Sequence, residues 1–170
     1  MPRTAPLLLL LILSVSACVD PAKMPTIGQP VPEVSLPDLE GRTVRLSDFR
    51  GNVVVLNFWA TWCPPCVEEM PSLQKLQQAL GEKGLQVLAA SVDENLQDVA
   101  RFREEHDLSL PILHDRGGKI AHRFSTFKYP ETYVVDRDGK LVAKIIGPRD
   151  WVSPTVIRDF VRLLRGEDGV

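Results

Sequence analysis

Two cysteines, Cys63 and Cys66, flank the pair Pro64-Pro65 in the 170-residue chain. A disulfide between cysteines this close in sequence constrains the unfolded chain very little, so a structural role is disfavoured. Thiol–disulfide exchange proceeds through a thiolate, and a free cysteine, with a pKa of about 8.5, is only slightly ionised at pH 7. The spacing therefore predicts a redox-active pair whose surroundings must favour the thiolate.

A helix that begins at the cysteines would provide such surroundings. Apolar residues follow at spacings of three and four, at Val67, Met70, Leu73, Leu76 and Leu80. This period predicts an amphipathic helix over residues 64–80. Its free N–H groups and dipole would stabilise a thiolate, and prolines fit the first turn because no N–H is needed there. We expect Cys63, at the exposed end, to attack a substrate disulfide and Cys66 to resolve the mixed disulfide.

Three other uses of the cysteines fit less well. A zinc site needs more ligands, but the chain has no second cysteine pair, and His106, His114 and His122 lack ligand-like spacing. We expect these histidines on the surface or in loops. A copper chaperone would need different spacing and a partner histidine. A peroxiredoxin-type peroxidase would carry a threonine three residues before its cysteine, whereas Thr61 lies two before Cys63. The predicted dithiol chemistry requires no metal and no other cofactor.

The first residues differ in character from the rest. A positive charge at Arg3 precedes an unbroken apolar run over residues 7–13. The run is shorter than the roughly 20 residues of a membrane-spanning helix and is typical of a signal peptide. The sequence VSAC at 15–18 is similar to the lipobox of bacterial lipoproteins, which predicts cleavage after Ala17 and lipidation of Cys18. Ordinary secretion, with Cys18 left as a plain thiol, is the alternative.

Composition and the changes in residue type along the chain predict the domain organisation. With 44% hydrophobic and 25% charged residues, the chain suits one globular domain, and a net charge of -2 gives no indication of a nucleic-acid partner. We predict a lipoprotein signal peptide over residues 1–17, a tether over 18–27, the folded domain over 28–166 and a tail over 167–170.

Hydrophobic patterning predicts an α/β domain. The expected elements are a β-hairpin of strands 31–36 and 43–46, a strand over 53–58, the helix over 64–80 with a kink at Pro71, a strand over 85–92, a helix over 96–106, an extended piece over 111–113, a helix over 119–124, strands over 131–136 and 140–146 joined by Asp138-Gly139, and a helix over 154–164. This order predicts a mixed sheet with helices on both faces.

Two motifs in the right order resemble the TlpA/ResA-like branch of the thioredoxin superfamily. The first is NFWATWCPPC at 57–66, and the second is YPET at 129–132, which leads into DRDG at 136–139. The resembling stretch covers about residues 28–165. The resemblance implies a thioredoxin-like fold with an added N-terminal β-hairpin and a central βα insertion, and it implies thiol–disulfide oxidoreductase activity.

The resemblance also implies a substrate-contacting surface. It makes Pro130 a cis-proline lying against the cysteines, so that the backbone of Tyr129 could pair with an extended substrate segment. Members of the family often carry glycine and an aliphatic residue before this proline, whereas Lys128 and Tyr129 occupy those positions here. The expected substrate-contacting residues are Trp62, Pro64, Pro65, Tyr129 and Pro130.

A carboxylate is expected behind the cysteines. Asn57 stands where thioredoxin carries a buried aspartate, and the resembling branch uses Glu69 instead. One turn after Cys66 on the same side of the helix, Glu69 could exchange a proton with that thiol, and burial would raise its pKa. Glu68 should point elsewhere into solvent, and Trp59 should be a packing residue.

By the same resemblance, the expected protein is a membrane-tethered, extracytoplasmic disulfide reductase. Its protein substrates would include apocytochrome c, and a membrane thiol reductant of the CcdA or DsbD kind would reduce Cys63 and Cys66 again. Two alternatives stay open. One is an oxidase or isomerase of secreted proteins, and the other is a redox-sensing binding module without turnover.

Overall fold

A computed structural model describes residues 24–167. The described elements are β1 (Ser35–Pro37), β2 (Thr43–Arg45), β3 (Val53–Trp59), α1 (Pro64–Leu80), β4 (Leu85–Ser91), α2 (Leu96–Glu105), β5 (Ile112–His114), α3 (Lys119–Arg123), β6 (Glu131–Val135), β7 (Leu141–Ile146) and α4 (Pro154–Leu164). Short 3-10 helices cover Leu46–Phe49, Gly81–Lys83 and Arg116–Gly118. The predicted order of strands and helices is confirmed.

The central sheet has the strand order β5-β4-β3-β6-β7. Strand β3 lies in the middle, parallel to β4 and antiparallel to β6, while β5 extends the parallel part and β7 the antiparallel part. Every residue of β3 is buried, which explains its unbroken apolar run. The fold is thioredoxin-like α/β, with a mixed sheet flanked by helices, as the sequence predicts.

The N-terminal hairpin forms a separate two-stranded sheet of β1 and β2. Each strand has only three residues, fewer than predicted, because Leu46 already starts a 3-10 helix and Pro32 provides no N–H for pairing. The turn is held by Asp38, whose carboxylate accepts from the backbone N–H groups of Glu40 and Arg42 at 3.0 and 2.8 Å.

Aromatic packing fixes the segment over residues 116–130 against the sheet. Phe58 on β3 and Tyr133 on β6 both contact the ring of Phe124, with centroids 5.5 and 4.9 Å away. The Tyr133 hydroxyl donates to the Phe124 carbonyl at 2.7 Å and contacts Thr126 Oγ1 at 2.9 Å. The segment that leads to Tyr129 is therefore attached to the same strands that position the cysteines.

Helix α1 runs without interruption from Pro64 to Leu80, with Pro71 inside it, and the kink at Pro71 stays a prediction. The expectation that all three histidines lie on the surface or in loops is wrong for His114, which is a buried residue of β5. Its Nε2 lies 2.8 Å from the carbonyl oxygen of Asp93, so this ring is a satisfied interior group.

The predicted signal peptide, Cys18, most of the tether and the last three residues of the tail lie outside the described residues. Within residues 24–167, no helix is both long enough and apolar enough to cross a membrane.

Candidate active site

Cys63 and Cys66 are joined by a disulfide, with their Cα atoms 5.3 Å apart. Cys63 is the N-cap residue of α1, in an extended conformation, and Cys66 lies in the first turn. Cys66 is fully buried and Cys63 is 5% exposed. Cys63 is thus less exposed than the sequence predicts, because its side chain turns inward to its partner, but it keeps the greater accessibility of the two.

The chain turns sharply from β3 into α1 at the disulfide. The N–H of Cys63 donates to the Ala60 carbonyl at 3.2 Å, and the Cys63 carbonyl accepts from Cys66 at 3.0 Å and from Val67 at 3.1 Å. The two prolines occupy the first helical positions, where their missing N–H groups cost nothing. The helix therefore begins at the cysteines as predicted, and its N-terminal dipole favours negative charge on Cys63.

Asp93 holds the loop that presents the cysteines, and the sequence reasoning missed it. Its buried carboxylate accepts from the N–H and Oγ1 of Thr61 at 3.0 and 2.6 Å, and from Ser91 Oγ at 2.7 Å. Strands β3 and β4 are parallel, so residues that follow them meet at the same edge of the sheet. A polar residue directly after a buried parallel strand is the signal that could have found it.

Glu69 lies on α1 one turn after Cys66 and is only 3% exposed. Its Oε1 accepts from Asn57 Nδ2 at 2.9 Å, and its Oε2 accepts from the N–H of Arg149 at 3.1 Å and from Trp151 Nε1 at 3.0 Å. Burial raises the pKa of Glu69, and the three hydrogen bonds, which favour the carboxylate, oppose that rise. The predicted burial and pKa direction are confirmed, and Glu68 is exposed as expected.

The donors to Glu69 come from two distant parts of the chain. Asn57 lies on β3 and also donates to Thr132 Oγ1 on β6 at 2.9 Å. Arg149 and Trp151 follow β7, and the hydroxyl of Ser72, which accepts from the Trp151 N–H at 3.2 Å, joins this segment to α1. Nothing in the local pattern near residue 150 indicates contact with Glu69, which is why the sequence did not reveal these two residues.

A cavity of about 530 Å³ opens beside Glu69. It lies between α1 and the segment after β7, and its walls include Ser72, Lys75, Pro148 and Arg149. Glu69 is itself one of the residues that line this cavity.

The second motif lies next to Trp62. The Tyr129–Pro130 peptide bond is cis, as the resemblance implies, and Pro130 is buried. The Tyr129 ring meets Trp62 edge to face with centroids 6.0 Å apart, and Trp62 is 64% exposed. Burial raises the pKa of the Tyr129 phenol, which therefore remains neutral. Trp59 is fully buried and packs on Phe102, which confirms it as a packing residue.

Together these groups support one chemistry, the reversible oxidation of two thiols at a helix N-terminus. Within residues 24–167, no group of three or more histidine, cysteine, aspartate or glutamate side chains could hold a metal ion. The fold and the site place the chain among the thioredoxin-fold thiol–disulfide oxidoreductases.

Comparison with known proteins agrees with this class. The chain belongs to the AhpC/TSA family, which it matches over residues 27–144. A thiol-disulfide oxidoreductase ResA of Bacillus cereus is 41% identical over 121 residues, which cover 71% of this chain and 70% of the relative.

Solved structures show the same fold. A Chlorobium tepidum protein assigned as the thiol:disulfide interchange protein DsbE superposes with a TM-score of 0.76 at 28% identity, covering 82% of this chain and 99% of that one. The thioredoxin domain of a thiol-disulfide oxidoreductase from Bacteroides vulgatus gives a TM-score of 0.71 at 25% identity, covering 82% and 98%.

Proposed function

We propose that this thiol–disulfide oxidoreductase is a reductase of protein disulfides that acts outside the cytoplasm. The observation that carries the proposal is the buried carboxyl group of Glu69, one turn from the resolving Cys66. A resolving thiol inside the protein has to lose its proton before it can attack, and a carboxylate with a raised pKa is matched to that transfer.

The reaction starts from the reduced protein. The Cys63 thiolate attacks one sulfur of the substrate disulfide, and the other substrate sulfur leaves as a thiolate that takes up a proton from water. Glu69 then accepts the Cys66 proton, and the Cys66 sulfur attacks Cys63 within the mixed disulfide. The second substrate sulfur departs as a thiolate and takes up the proton held by Glu69, which returns to a carboxylate. Two electrons have then passed from the Cys63–Cys66 dithiol to the substrate.

The electrostatics of the pair support electron donation. A strongly oxidising dithiol owes its potential to a stabilised thiolate, usually beside a cation. Here the first turn of α1 carries no basic residue, and Cys66 is fully buried with a carboxyl group behind it. These surroundings give no stabilisation to a Cys66 thiolate, so the reduced form lacks on this cysteine the stabilisation that makes a dithiol strongly oxidising.

The location and partners follow from the N-terminal sequence and the family resemblance. Lipidation of Cys18 would hold the domain at an extracytoplasmic membrane face, and the tether would let it reach substrates such as apocytochrome c. A membrane thiol reductant of the CcdA or DsbD kind would reduce the Cys63–Cys66 disulfide after each turnover. Replacing Cys18 with serine should abolish incorporation of labelled fatty acid into the protein, and labelling that persists would contradict lipidation at Cys18.

The reduction potential of Cys63–Cys66 tests the direction of electron flow. The protein is equilibrated with thiol buffers of known potential, and the oxidised fraction is followed by alkylation of free thiols. We expect a value of about -220 mV or lower. A value of about -120 mV would identify an oxidase and contradict the proposal. Partner binding that survives Cys63→Ser, together with no turnover by the unaltered protein, would identify a redox-sensing module instead.

A further inference from the structure

A row of aromatic side chains leads from the disulfide across the segment over residues 116–130. Trp62, next to Cys63, contacts Tyr129, and Phe127 stacks on His122 with centroids 5.4 Å apart. The two pairs meet at Gly118. A Cβ atom built on this glycine would lie 3.2 Å from the Tyr129 hydroxyl and 3.8 Å from His122 Nε2, so the ends of both side chains lie beside it. We call these four rings the aromatic strip.

Phe127 is the unusual member of the strip. Phe127 is 72% exposed, whereas Phe124 and Phe58 are fully buried in the core. Large exposed aromatic side chains are enriched where proteins bind partners. Among residues 24–167, the exposed large hydrophobic side chains include only two aromatics, Trp62 and Phe127, and both belong to the strip.

The segment over residues 116–130, which contains three of the four rings, carries positively charged side chains and no negatively charged ones. Residues 116–130 contain no aspartate or glutamate in a chain whose net charge is -2. Their exposed cations are Arg116, Lys119, Arg123 and Lys128. Arg116 pairs with Glu94 at 3.4 Å. No carboxylate of the described residues lies within ion-pair distance of the other three.

Two carboxylates adjoin this segment in the sequence, and neither is exposed. Asp115 is buried and accepts from the N–H groups of Ile120 and Ala121 at 2.9 and 2.8 Å. Glu131 is buried and forms an ion pair with Lys144. Both carboxylates act electrostatically on the Tyr129 phenol. The exposed charged side chains of residues 116–130 that have no ion-pair partner among the described residues are therefore all cationic.

We propose that the aromatic strip and the cations Lys119, Arg123 and Lys128 are a docking surface for substrate, an inference that rests on the proposed reductase function. The occupant is the segment of a substrate protein that adjoins its disulfide and carries an apolar or aromatic side chain together with acidic residues. Continuity from Cys63 through Trp62 places such a segment beside the reacting sulfurs. Charge complementarity selects acidic segments and speeds their encounter.

Three disulfide peptides test the proposal. They share one intramolecular disulfide and one phenylalanine and differ only in flanks that are acidic, neutral or basic. The full chain is reduced beforehand, and the second-order rate constant of a single turnover is measured for each peptide. We expect the acidic peptide to react about tenfold faster than the basic one at low ionic strength, and this ratio to shrink in high salt.

Substitutions assign the preference to this surface. The double change Arg123→Glu and Lys128→Glu should abolish or reverse the preference. A matched double charge reversal, Lys83→Glu and Lys140→Glu, should leave it intact. Both lysines lie near the opposite end of β3, where the N–H of Val53 donates to the Gly84 carbonyl and Val54 pairs with Val135. Phe127→Ser should slow all three peptides but not a small neutral disulfide.

The outcomes separate the two proposals. Equal rates for the acidic and basic peptides would overturn the docking surface while leaving the reductase function supported. Failure to reduce any peptide would instead contradict the reductase function, and the docking surface with it. Equal peptide rates combined with binding to phosphatidylglycerol vesicles that the double change removes would assign the cations to the membrane and overturn the proposal.

Discussion

The indole Nε1 of Trp151 donates a hydrogen bond to Oε2 of Glu69 at 3.0 Å, although 82 positions separate the two residues in the chain. Both groups are buried, so little water competes with this bond. The bond favours the ionised carboxylate and thereby opposes the rise in pKa that burial imposes on Glu69. Trp151 is therefore a positioning residue for the proposed proton transfer.

Replacing Trp151 with phenylalanine should move the pH dependence of disulfide exchange to higher pH. Loss of the donor raises the pKa of Glu69 further, so a higher pH is needed to form the carboxylate that accepts the Cys66 proton. Stopped-flow measurement of mixed-disulfide resolution against pH gives the midpoint. Phe160→Leu is the control, because it loosens the packing on Trp151 without removing the hydrogen bond. An unchanged midpoint in Trp151→Phe would contradict the role of Trp151.

The charge of Glu69 should also appear in the pH dependence of stability. The pKa of Glu69 is raised in the folded protein above its ordinary value of 4.5, so folding favours the neutral form. The contribution of Glu69 to the free energy of unfolding is full below pH 4.5, falls as the pH rises through the folded-state pKa, and is then constant. Glu69→Gln should lack this fall.

The measurement is urea unfolding of both oxidised proteins over a series of pH values. The stability of Glu69→Gln relative to the unaltered protein should increase with pH over that window. A difference that decreases with pH would show that the folded protein prefers the carboxylate.

In the exchange reaction, Glu69→Gln should slow the resolution of the mixed disulfide by about 100-fold, the typical contribution of general acid–base catalysis.

Removal of the resolving thiol should trap the reaction halfway. Cys66→Ala leaves Cys63 able to attack a substrate disulfide but unable to release the product, so mixed disulfides through Cys63 should accumulate. They are detected as bands on non-reducing gels that thiol treatment removes. Cys63→Ser should form no such bands and should lack reductase activity. Accumulation in Cys63→Ser instead would reverse the assigned order of attack.

Asp93 should matter to both stability and reactivity. Asp93→Ala leaves the hydroxyl and N–H of Thr61 and the hydroxyl of Ser91 without their acceptor, which should cost about 1–3 kcal/mol of unfolding free energy. The loop before Cys63 should also become mobile, which faster amide exchange at Thr61 would show. Asp98→Ala is the matched control, because its exposed ion pair with Arg101 should contribute less than about 1 kcal/mol. Equal effects of the two substitutions would contradict the role of Asp93.

The sequence predicted those parts of the site that depend on neighbours along the chain. The buried run of β3, the helix period of α1 and the prolines after Cys63 fix the disulfide locally. Helix spacing likewise places Glu69 one turn from Cys66. The bounds of α4, residues 154–164, were predicted without error because a proline marks its start and its apolar stripe is regular.

Parts that depend on tertiary contacts could not be predicted. Trp151 and Arg149 reach Glu69 only because β7 returns the chain to α1. Likewise, His114 is buried because β5 pairs with β4. Its own three-residue strand is too short to show the alternation of apolar and polar residues that would predict burial. The role of Asp93 could be predicted only in part, since its position after a strand is visible in the sequence but its hydrogen bond to Thr61 is not.

The hydrogen bonds around Glu69 draw on two stretches of the chain. Residues 27–144, over which the chain matches its family, contain both cysteines, Glu69 and Asn57. The other two donors, Arg149 and Trp151, lie beyond that stretch. Arg149 donates its backbone N–H, so only the Trp151 bond depends on a side chain. A substitution at Trp151 can therefore change how readily the buried carboxyl group gives up its proton without altering any residue of the helix that carries the cysteines.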